Sequence, residues 1–233
     1  MDTVIVDYNG VIGLQPDDQQ WERLAALAGW PSDQLHAFRQ EFWERRPAYD
    51  AGAATTWQFW SSLLRTHHRP RTGLLPALQD ADTALWTRTN AAVLDTLGGL
   101  RAQGVRLVLL SNAPAPLADA LDATDWCRTL FHRTLYSARI GINKPEPGAY
   151  HLALAAAGWP DPARTLFIDD RAENCHAAAN LGLHTLHHRN GPAALTRLAT
   201  HVTTAAVPGP RRPHPAPAAS FTTSTHPSPG HHR

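Results

Sequence analysis

The stretch "VIVDYNGVIG", residues 4–13, decides how the rest of the chain is interpreted. Its continuous apolar run predicts a strand buried on both faces, as in a parallel sheet. A carboxylate, Asp7, stands at the end of this run, and an amide, Asn9, follows two residues later. The stretch therefore predicts a strand that delivers a polar side chain to a turn at the edge of a sheet.

Three more apolar runs resemble the first and alternate with helical patterns. The runs are "VRLVLLSNA" at 105–113, "RTLFIDD" at 164–170 and "LHTLHH" at 183–188. The helical patterns cover residues 90–103, 147–158 and 172–181, and Gly104, Gly158 and Gly182 lie where left-handed helix caps belong. Strands that alternate with helices predict a doubly wound α/β fold with a parallel sheet.

Two segments break this alternation. Residues 15–86 are helical in pattern and rich in aromatic residues, which predicts an α-helical insertion after the first strand. Most of these aromatics are expected simply to fill a helical core. Residues 207–233 contain seven of the 19 prolines and have no apolar period, which predicts a disordered tail. The α/β core is then expected to comprise residues 1–14 and 87–206.

Composition limits the partners. The 233 residues have a formal net charge of +1, which favours neither nucleic acid nor an anionic membrane as a partner. The two cysteines, Cys127 and Cys175, lack metal-type spacing and suit free thiols in a reducing compartment. No apolar run approaches the roughly 18 residues of a membrane span. We therefore expect a cytoplasmic protein that binds a small molecule.

Polar side chains cluster at the ends of the predicted strands, where ligand sites of parallel α/β sheets lie. They are Asp7, Asn9, Ser111, Asn112, Asp169 and Asp170. Lys144, the only lysine in the chain, lies in the loop "GINKPEPGAY" before a predicted helix. Three converging carboxylates require a cation among them, and oxygen ligands favour Mg²⁺.

These residue types suit phosphoryl transfer to a carboxylate. Asp7 would attack phosphorus and form an aspartyl-phosphate, which splits one difficult step into two. Mg²⁺ bridging Asp7 and the Asp169–Asp170 pair would offset the repulsion between two anions, while Lys144 and Ser111 would hold phosphate oxygens. Taken singly, Asp7, Ser111 and Asp169 could be turn or helix-capping residues. Their joint order at strand ends favours a site.

The four segments resemble the motifs of the haloacid dehalogenase-like (HAD) hydrolases, in the subgroup with a helical cap inserted after the first strand. "VIVDYNGVI" is similar to the first motif, "LVLLSNA" to the second, "GINKPEPGAY" to the third and "TLFIDDRAENCHAAANLGLHT" to the fourth. "YDAGAATTWQFWSSL" resembles part of the cap. The resemblance implies a Rossmann-like core with an inserted cap.

The resemblance also implies residue roles. Asp7 is the expected nucleophile, and the backbone carbonyl of Asn9 the expected Mg²⁺ ligand. Ser111 and Lys144 are expected to contact the phosphate, with Asn112 beside them. Asp170, helped by Asp169, is expected to hold the metal. An intact acidic pair in the fourth motif favours the metal-dependent phosphatases over the 2-haloacid dehalogenases.

Asn9 departs from the family pattern. Family phosphatases have an aspartate here, which protonates the leaving oxygen and then activates water. An amide can orient water but cannot take its proton near neutral pH. We therefore expect weak or atypical phosphatase turnover, with a dehalogenase-like hydrolase or a catalytically weak binding protein as alternatives. Candidates for substrate selection in the cap are Trp43, Arg45, Arg46, Tyr49, Trp57 and Trp60.

Overall fold

The computed structural model describes residues 1–65 and 73–189. A five-stranded parallel sheet forms the centre, with the strand order β3-β2-β1-β4-β5. The strands are β1 (Thr3–Val6), β2 (Arg106–Ser111), β3 (Arg133–Tyr136), β4 (Thr165–Asp169) and β5 (His184–His187). The predicted tail, residues 207–233, and the last part of the predicted core lie outside the described residues.

Ten α-helices are described in addition to this sheet. They are α1 (Asp18–Leu27), α2 (Leu35–Asp50), α3 (Thr56–Leu63), α4 (Leu74–Leu85), α5 (Ala91–Ala102), α6 (Ala115–Asp122), α7 (Asp125–Leu130), α8 (Ser137–Ile140), α9 (Pro147–Ala156) and α10 (Ala172–Ala179). Among the described residues, none of these helices is long and apolar enough to cross a membrane.

Both faces of the sheet are covered, which explains why its strands lack an apolar–polar alternation. Val4 and Val6 of β1 face a large core shared with α5, α6 and α7 and with the helices before them. Ile5 of β1 faces a second core together with α9 and α10. The doubly wound α/β fold expected from the apolar runs is confirmed.

The predicted elements are found with small changes at their ends. Asn90 caps α5 through its side chain, and Gly104, Gly158 and Gly182 have φ angles of 86°, 80° and 83° after helices α5, α9 and α10. One strand, β3, was not predicted. Its sequence "RTLY" is short and begins with two polar residues, so it has no apolar run.

Helices α1 to α4 lie between β1 and α5, as the pattern of residues 15–86 predicts. Their interior is aromatic: Phe42 makes edge contacts with Trp21 and Phe59, and Tyr49 stacks on Phe59 with ring centroids 4.5 Å apart. Trp60 is fully buried in the same core. We call Asp18–Leu85 the helical insertion; its role as a cap stays a prediction.

Candidate active site

The parallel strands bring three carboxylates to one edge of the sheet. Asp7 directly follows β1, Asp169 ends the neighbouring β4, and Asp170 comes next in the chain. One oxygen from each lies within 4.8 Å of the others. The predicted convergence of these side chains is therefore present.

Lys144 lies between two of these carboxylates. Its Nζ is 2.7 Å from Asp7 Oδ1 and 2.7 Å from Asp169 Oδ2, and its side chain is almost fully buried. The side-chain amide of Asn112 fixes the lysine backbone: Asn112 Oδ1 accepts from the Lys144 N–H at 2.8 Å, and its Nδ2 donates to the Lys144 carbonyl at 2.9 Å. Asn112 thus positions Lys144, and its predicted contact with substrate stays a prediction.

Asp169 and Asp170 have different surroundings. Asp169 is fully buried, and its oxygens accept hydrogen bonds from the Arg171 N–H, Asn174 Nδ2 and Lys144 Nζ. Asp170 is partly exposed and lines a cavity. Because protein donors already occupy the oxygens of Asp169, Asp170 is the better placed of the two to bind a ligand.

Asp7 also has one occupied and one open oxygen. Its Oδ1 accepts hydrogen bonds from the Tyr8 N–H at 2.7 Å and from Lys144. Both of these contacts within residues 1–65 and 73–189 reach Oδ1, so Oδ2 is the oxygen that remains for a ligand. A carboxylate held by one oxygen, with the other free beside a cavity, is suited to nucleophilic attack.

Burial and charge set the protonation behaviour of this cluster. Burial raises the pKa of Asp7 to about 8; Lys144 opposes this rise, and Asp169 and Asp170 reinforce it. Burial, with the Asp169 charge, raises the pKa of Asp170 to about 6. Burial alone would lower the pKa of Lys144, but the Asp169 and Asp7 carboxylates outweigh it and raise that pKa.

The cluster fits a divalent cation. Three acidic groups face a single ammonium group, and every ligand atom offered is an oxygen, which is the donor that hard ions such as Mg²⁺ prefer. Gly10 makes the close approach possible, since a Cβ at this position would collide with the Asp170 carboxylate, and its φ is 74°. Asp7 and Asp170 are the carboxylates best placed to hold such an ion.

Asn9 lies in the turn after β1 and lines the cavity beside Asp7. Its Oδ1 is buried and, among the described residues, has no hydrogen-bond partner. Ser111 is buried at the end of β2, is not part of the cavity wall, and its Oγ likewise finds no partner in the described part of the chain. The predicted phosphate contact of Ser111 therefore stays a prediction.

A cavity of about 670 Å³ opens between the carboxylate cluster and the helical insertion. Two of the six candidates for substrate selection, Trp43 and Arg46, line it. The other four do not: Tyr49 and Trp60 are buried in the insertion, Trp57 is exposed, and Arg45 pairs with Glu41. Most of these aromatics thus fill or flank a helical core.

Sequence reasoning assigned no site role to several residues around the cluster, and Asn174 and Gly10 are two of them. Asn174, in the first turn of α10, donates a hydrogen bond from its side-chain amide to Asp169. Gly10 has no side chain and so leaves room for the Asp170 carboxylate. Each had a signal in the sequence: an amide five residues after Asp169, and a glycine in the turn after Asp7. Neither signal specifies the contact. Asn174 meets Asp169 across the turn between β4 and α10, and Gly10 meets Asp170, which follows a different strand.

Comparison with known proteins points to one family. A sesquiterpene phosphatase of Aspergillus oryzae, astK, is 33% identical over 100 residues, which are 43% of this chain; the chain spans half the length of that relative. A HAD family enzyme of Bacteroides thetaiotaomicron, solved with magnesium and inorganic phosphate, superposes with a TM-score of 0.67 at 21% identity, covering 82% of this chain and 96% of that one.

An L-2-haloacid dehalogenase of Xanthobacter autotrophicus shares the fold as well, with a TM-score of 0.59 at 20% identity over 84% of this chain and 81% of that one. At these identities the two solved structures show the fold alone. The sequence model of the family of haloacid dehalogenase-like hydrolases matches residues 1–182, which are most of the chain. The chain therefore belongs to the haloacid dehalogenase-like hydrolase family.

Proposed function

We propose that this chain is a Mg²⁺-dependent phosphatase that acts on a small phosphorylated molecule through an aspartyl-phosphate on Asp7. The observation that carries the proposal is the convergence of Asp7, Asp169 and Asp170 around Lys144, with one Asp7 oxygen left free beside the cavity. A dehalogenase would use the same nucleophile but has no need for two further acids at this point.

The residues take the following roles in the proposal. Asp7 Oδ2 attacks phosphorus, the bond from phosphorus to the ester oxygen breaks, and water then hydrolyses the aspartyl-phosphate to release phosphate. Lys144 holds the Asp7 carboxylate in place and offers its ammonium group to phosphate oxygens. Asp7, Asp170 and the Asn9 backbone carbonyl would hold a Mg²⁺ ion, which would supply positive charge between the anionic nucleophile and the anionic substrate.

Asn9 limits this chemistry. Its amide can hydrogen-bond to the leaving oxygen or to water, but it can neither donate a proton to an alkoxide nor accept one from water near neutral pH. The proposal therefore favours substrates whose leaving group needs no proton, such as acyl phosphates. A protein that binds a phosphorylated ligand with little turnover is the second candidate, because the same substitution favours it.

One relative supports the phosphatase over the dehalogenase. The curated relative at 33% identity over 100 residues is a sesquiterpene phosphatase. The paired acids of the fourth motif agree with that choice, because metal-dependent phosphoryl transfer uses carboxylates that carbon–halogen cleavage does not require.

A substrate panel tests the proposal. Acetyl phosphate, an aryl phosphate and an alkyl phosphate are incubated with the wild type and Asp7→Asn, each with Mg²⁺ and with EDTA, and phosphate release is measured. The proposal expects release that requires Mg²⁺ and disappears in Asp7→Asn. Activity on haloacids that persists in EDTA would replace it with the dehalogenase. An absence of turnover together with tight binding of phosphate esters would favour the binding protein.

A further inference from the structure

Two tryptophans form one side of the cavity beside Asp7, and we call them the aromatic wall: Trp43 in α2 and Trp86 at the end of α4. Their ring centroids are 5.8 Å apart. Trp43 is 46% exposed, whereas the neighbouring Trp86 is 1% exposed. Trp43 is therefore the exposed member of the pair, at the cavity and at the solvent. Trp86 is buried and packs against the Trp43 ring.

A hydrogen bond connects Trp86 of the aromatic wall to the turn that follows Asp7. The indole N–H of Trp86 donates to Asp82 Oδ1 at 3.0 Å, and its backbone carbonyl accepts from the Tyr8 hydroxyl at 2.6 Å. Tyr8 is the residue after Asp7. Trp43 packs edge-on against Phe42, with centroids 5.4 Å apart, which limits its freedom. The Trp43 ring thus packs against Trp86, whose carbonyl accepts a hydrogen bond from the residue after Asp7.

The helical insertion contributes one cationic side chain to the cavity wall, Arg46, and two carboxylates already compensate its charge. Arg46 is 3% exposed; its Nε is 2.7 Å from Asp50 Oδ1 and its Nη1 is 2.8 Å from Asp82 Oδ1. This group of one guanidinium and two carboxylates has a net charge of −1 when all are ionised. A second anionic group on a substrate would meet no free cation here.

The cations on the opposite side of the cavity also have acidic partners. Lys144 pairs with Asp7 and Asp169, and Arg171 Nε donates to Glu173 Oε1 at 2.6 Å. Glu146 adds a further carboxylate to the cavity wall. Among the described cavity residues, every cation is thus matched by an acid, so the charge of the wall disfavours a doubly anionic substrate.

We infer that the cavity takes an aryl or acyl phosphate, the classes whose leaving group needs no proton from Asn9, and that its organic part is uncharged and apolar and packs on the Trp43 ring. This inference names the substrate class and rests on the proposed phosphatase function. Apolar contact with an exposed indole contributes affinity that a hydroxylated chain does not gain, because hydroxyl groups lose hydrogen bonds to water on burial. Trp43 is accordingly a specificity-determining residue.

Binding of non-hydrolysable phosphonates tests the inference without any need for turnover. Calorimetry with Mg²⁺ present compares hexylphosphonate, hydroxypropylphosphonate and hexane bisphosphonate, which differ in apolar length and in the second anion. We expect hexylphosphonate to bind the wild type more tightly than either other ligand, by on the order of 10-fold. Equal binding of the three, or preference for the bisphosphonate, would overturn the inference.

Three variants test whether Trp43 causes the preference for hexylphosphonate. Trp43→Ala should lose the preference for hexylphosphonate but retain the affinity for hydroxypropylphosphonate, which also reports that the variant is folded. Trp43→Arg should shift the preference toward the bisphosphonate, because it adds an unpaired cation. Trp57→Ala is the matched control, since Trp57 is 62% exposed on α3 and lies outside the cavity. A preference unchanged in Trp43→Ala would contradict the inference.

These binding results are separable from the proposed function. If phosphate release is seen in the substrate panel but hexylphosphonate shows no preference, the phosphatase stands and the apolar substrate class falls. If hexylphosphonate binds preferentially and no ester or acyl phosphate is hydrolysed, the phosphatase falls and the cavity remains an apolar-ligand site.

Discussion

Asn9 places an amide where an acid would speed ester hydrolysis, and its buried Oδ1 has no partner among the described residues. We expect Asn9→Asp to raise turnover of an alkyl phosphate by ~10²–10⁴, the usual contribution of a general acid–base group. Acetyl phosphate should gain far less, because its leaving group departs without a proton. Steady-state kinetics on the two substrates measures the difference; equal gains on both would contradict the assigned role.

Gly10 is expected to be intolerant of a side chain. Gly10→Ala should cost about 1–2 kcal/mol for the left-handed φ, and more because the new Cβ collides with Asp170. Gly104→Ala is the matched control, because its φ is 86° and a Cβ there would meet no atom within 4 Å. Urea unfolding should show a larger loss for Gly10→Ala; equal losses would mean that Asp170 moves aside freely.

At the scale of single residues, the sequence predicts the charged centre of the site better than its supports. Asp7, Lys144 and Asp170 are found through strand ends and through the rarity of lysine in this chain. The substrate contact of Asn112 stays a prediction, and the hydrogen bonds between its amide and the Lys144 backbone were not indicated by any pattern in the sequence. A pattern along the chain shows which group can do chemistry; it does not show which neighbour that group's hydrogen bonds will reach.

At the scale of elements, α2 and α4 are joined by the buried Arg46, which binds Asp50 and Asp82. Arg46→Met should destabilise the protein by about 3–5 kcal/mol, because two carboxylates are left buried without their partner. Arg45→Met is the matched control one residue away, where the ion pair with Glu41 is partly exposed and contributes about 0–1 kcal/mol.

Urea denaturation of both variants measures these free energies of unfolding. A loss for Arg46→Met no larger than that for Arg45→Met would show that the buried cluster does not hold α2 against α4. Sequence reasoning treated the two arginines alike, as candidates for substrate selection. Only the tertiary structure separates them, because Arg46 is buried between Asp50 of its own helix and Asp82 of α4, whereas Arg45 lies at the surface.

The elements themselves were predictable where their patterns were strong. Apolar runs identified four strands, and glycines after helices marked three helix ends. Strand β3 was missed because a short edge strand with a polar start has no apolar run. Edge position explains its composition, since Arg133 is exposed there while Leu135 and Tyr136 are buried.

At the scale of the whole molecule, the insertion contacts the core beside the site. Ser137 Oγ donates to the Asp50 carbonyl, and Asn143 Nδ2 donates to the Pro47 carbonyl at 2.8 Å. The doubly wound core was predictable because periodicity is a local property. The docking of α2 on the loop before Lys144 was not, because it depends on contacts between residues about 90 positions apart in the chain.

A bound cation should stabilise the whole fold, since it relieves repulsion among three buried or partly buried carboxylates. We expect Mg²⁺ at 100 times its dissociation constant to add about 2.7 kcal/mol to the free energy of unfolding. Thermal unfolding with Mg²⁺ and with EDTA measures the shift, and Asp170→Asn should abolish most of it. The same shift in Asp170→Asn and in the wild type would place the cation elsewhere.

Asp7 should become phosphorylated during turnover. Acid quenching of the wild type during hydrolysis of acetyl phosphate, followed by mass spectrometry of the peptide that contains Asp7, tests this most directly. Asn9 should favour the observation, because slow hydrolysis lets the intermediate accumulate. We expect a phosphate adduct on Asp7 that is absent from Asp7→Asn. Mg²⁺-dependent turnover without an adduct on Asp7, or with equal rates in Asp7→Asn, would contradict this expectation.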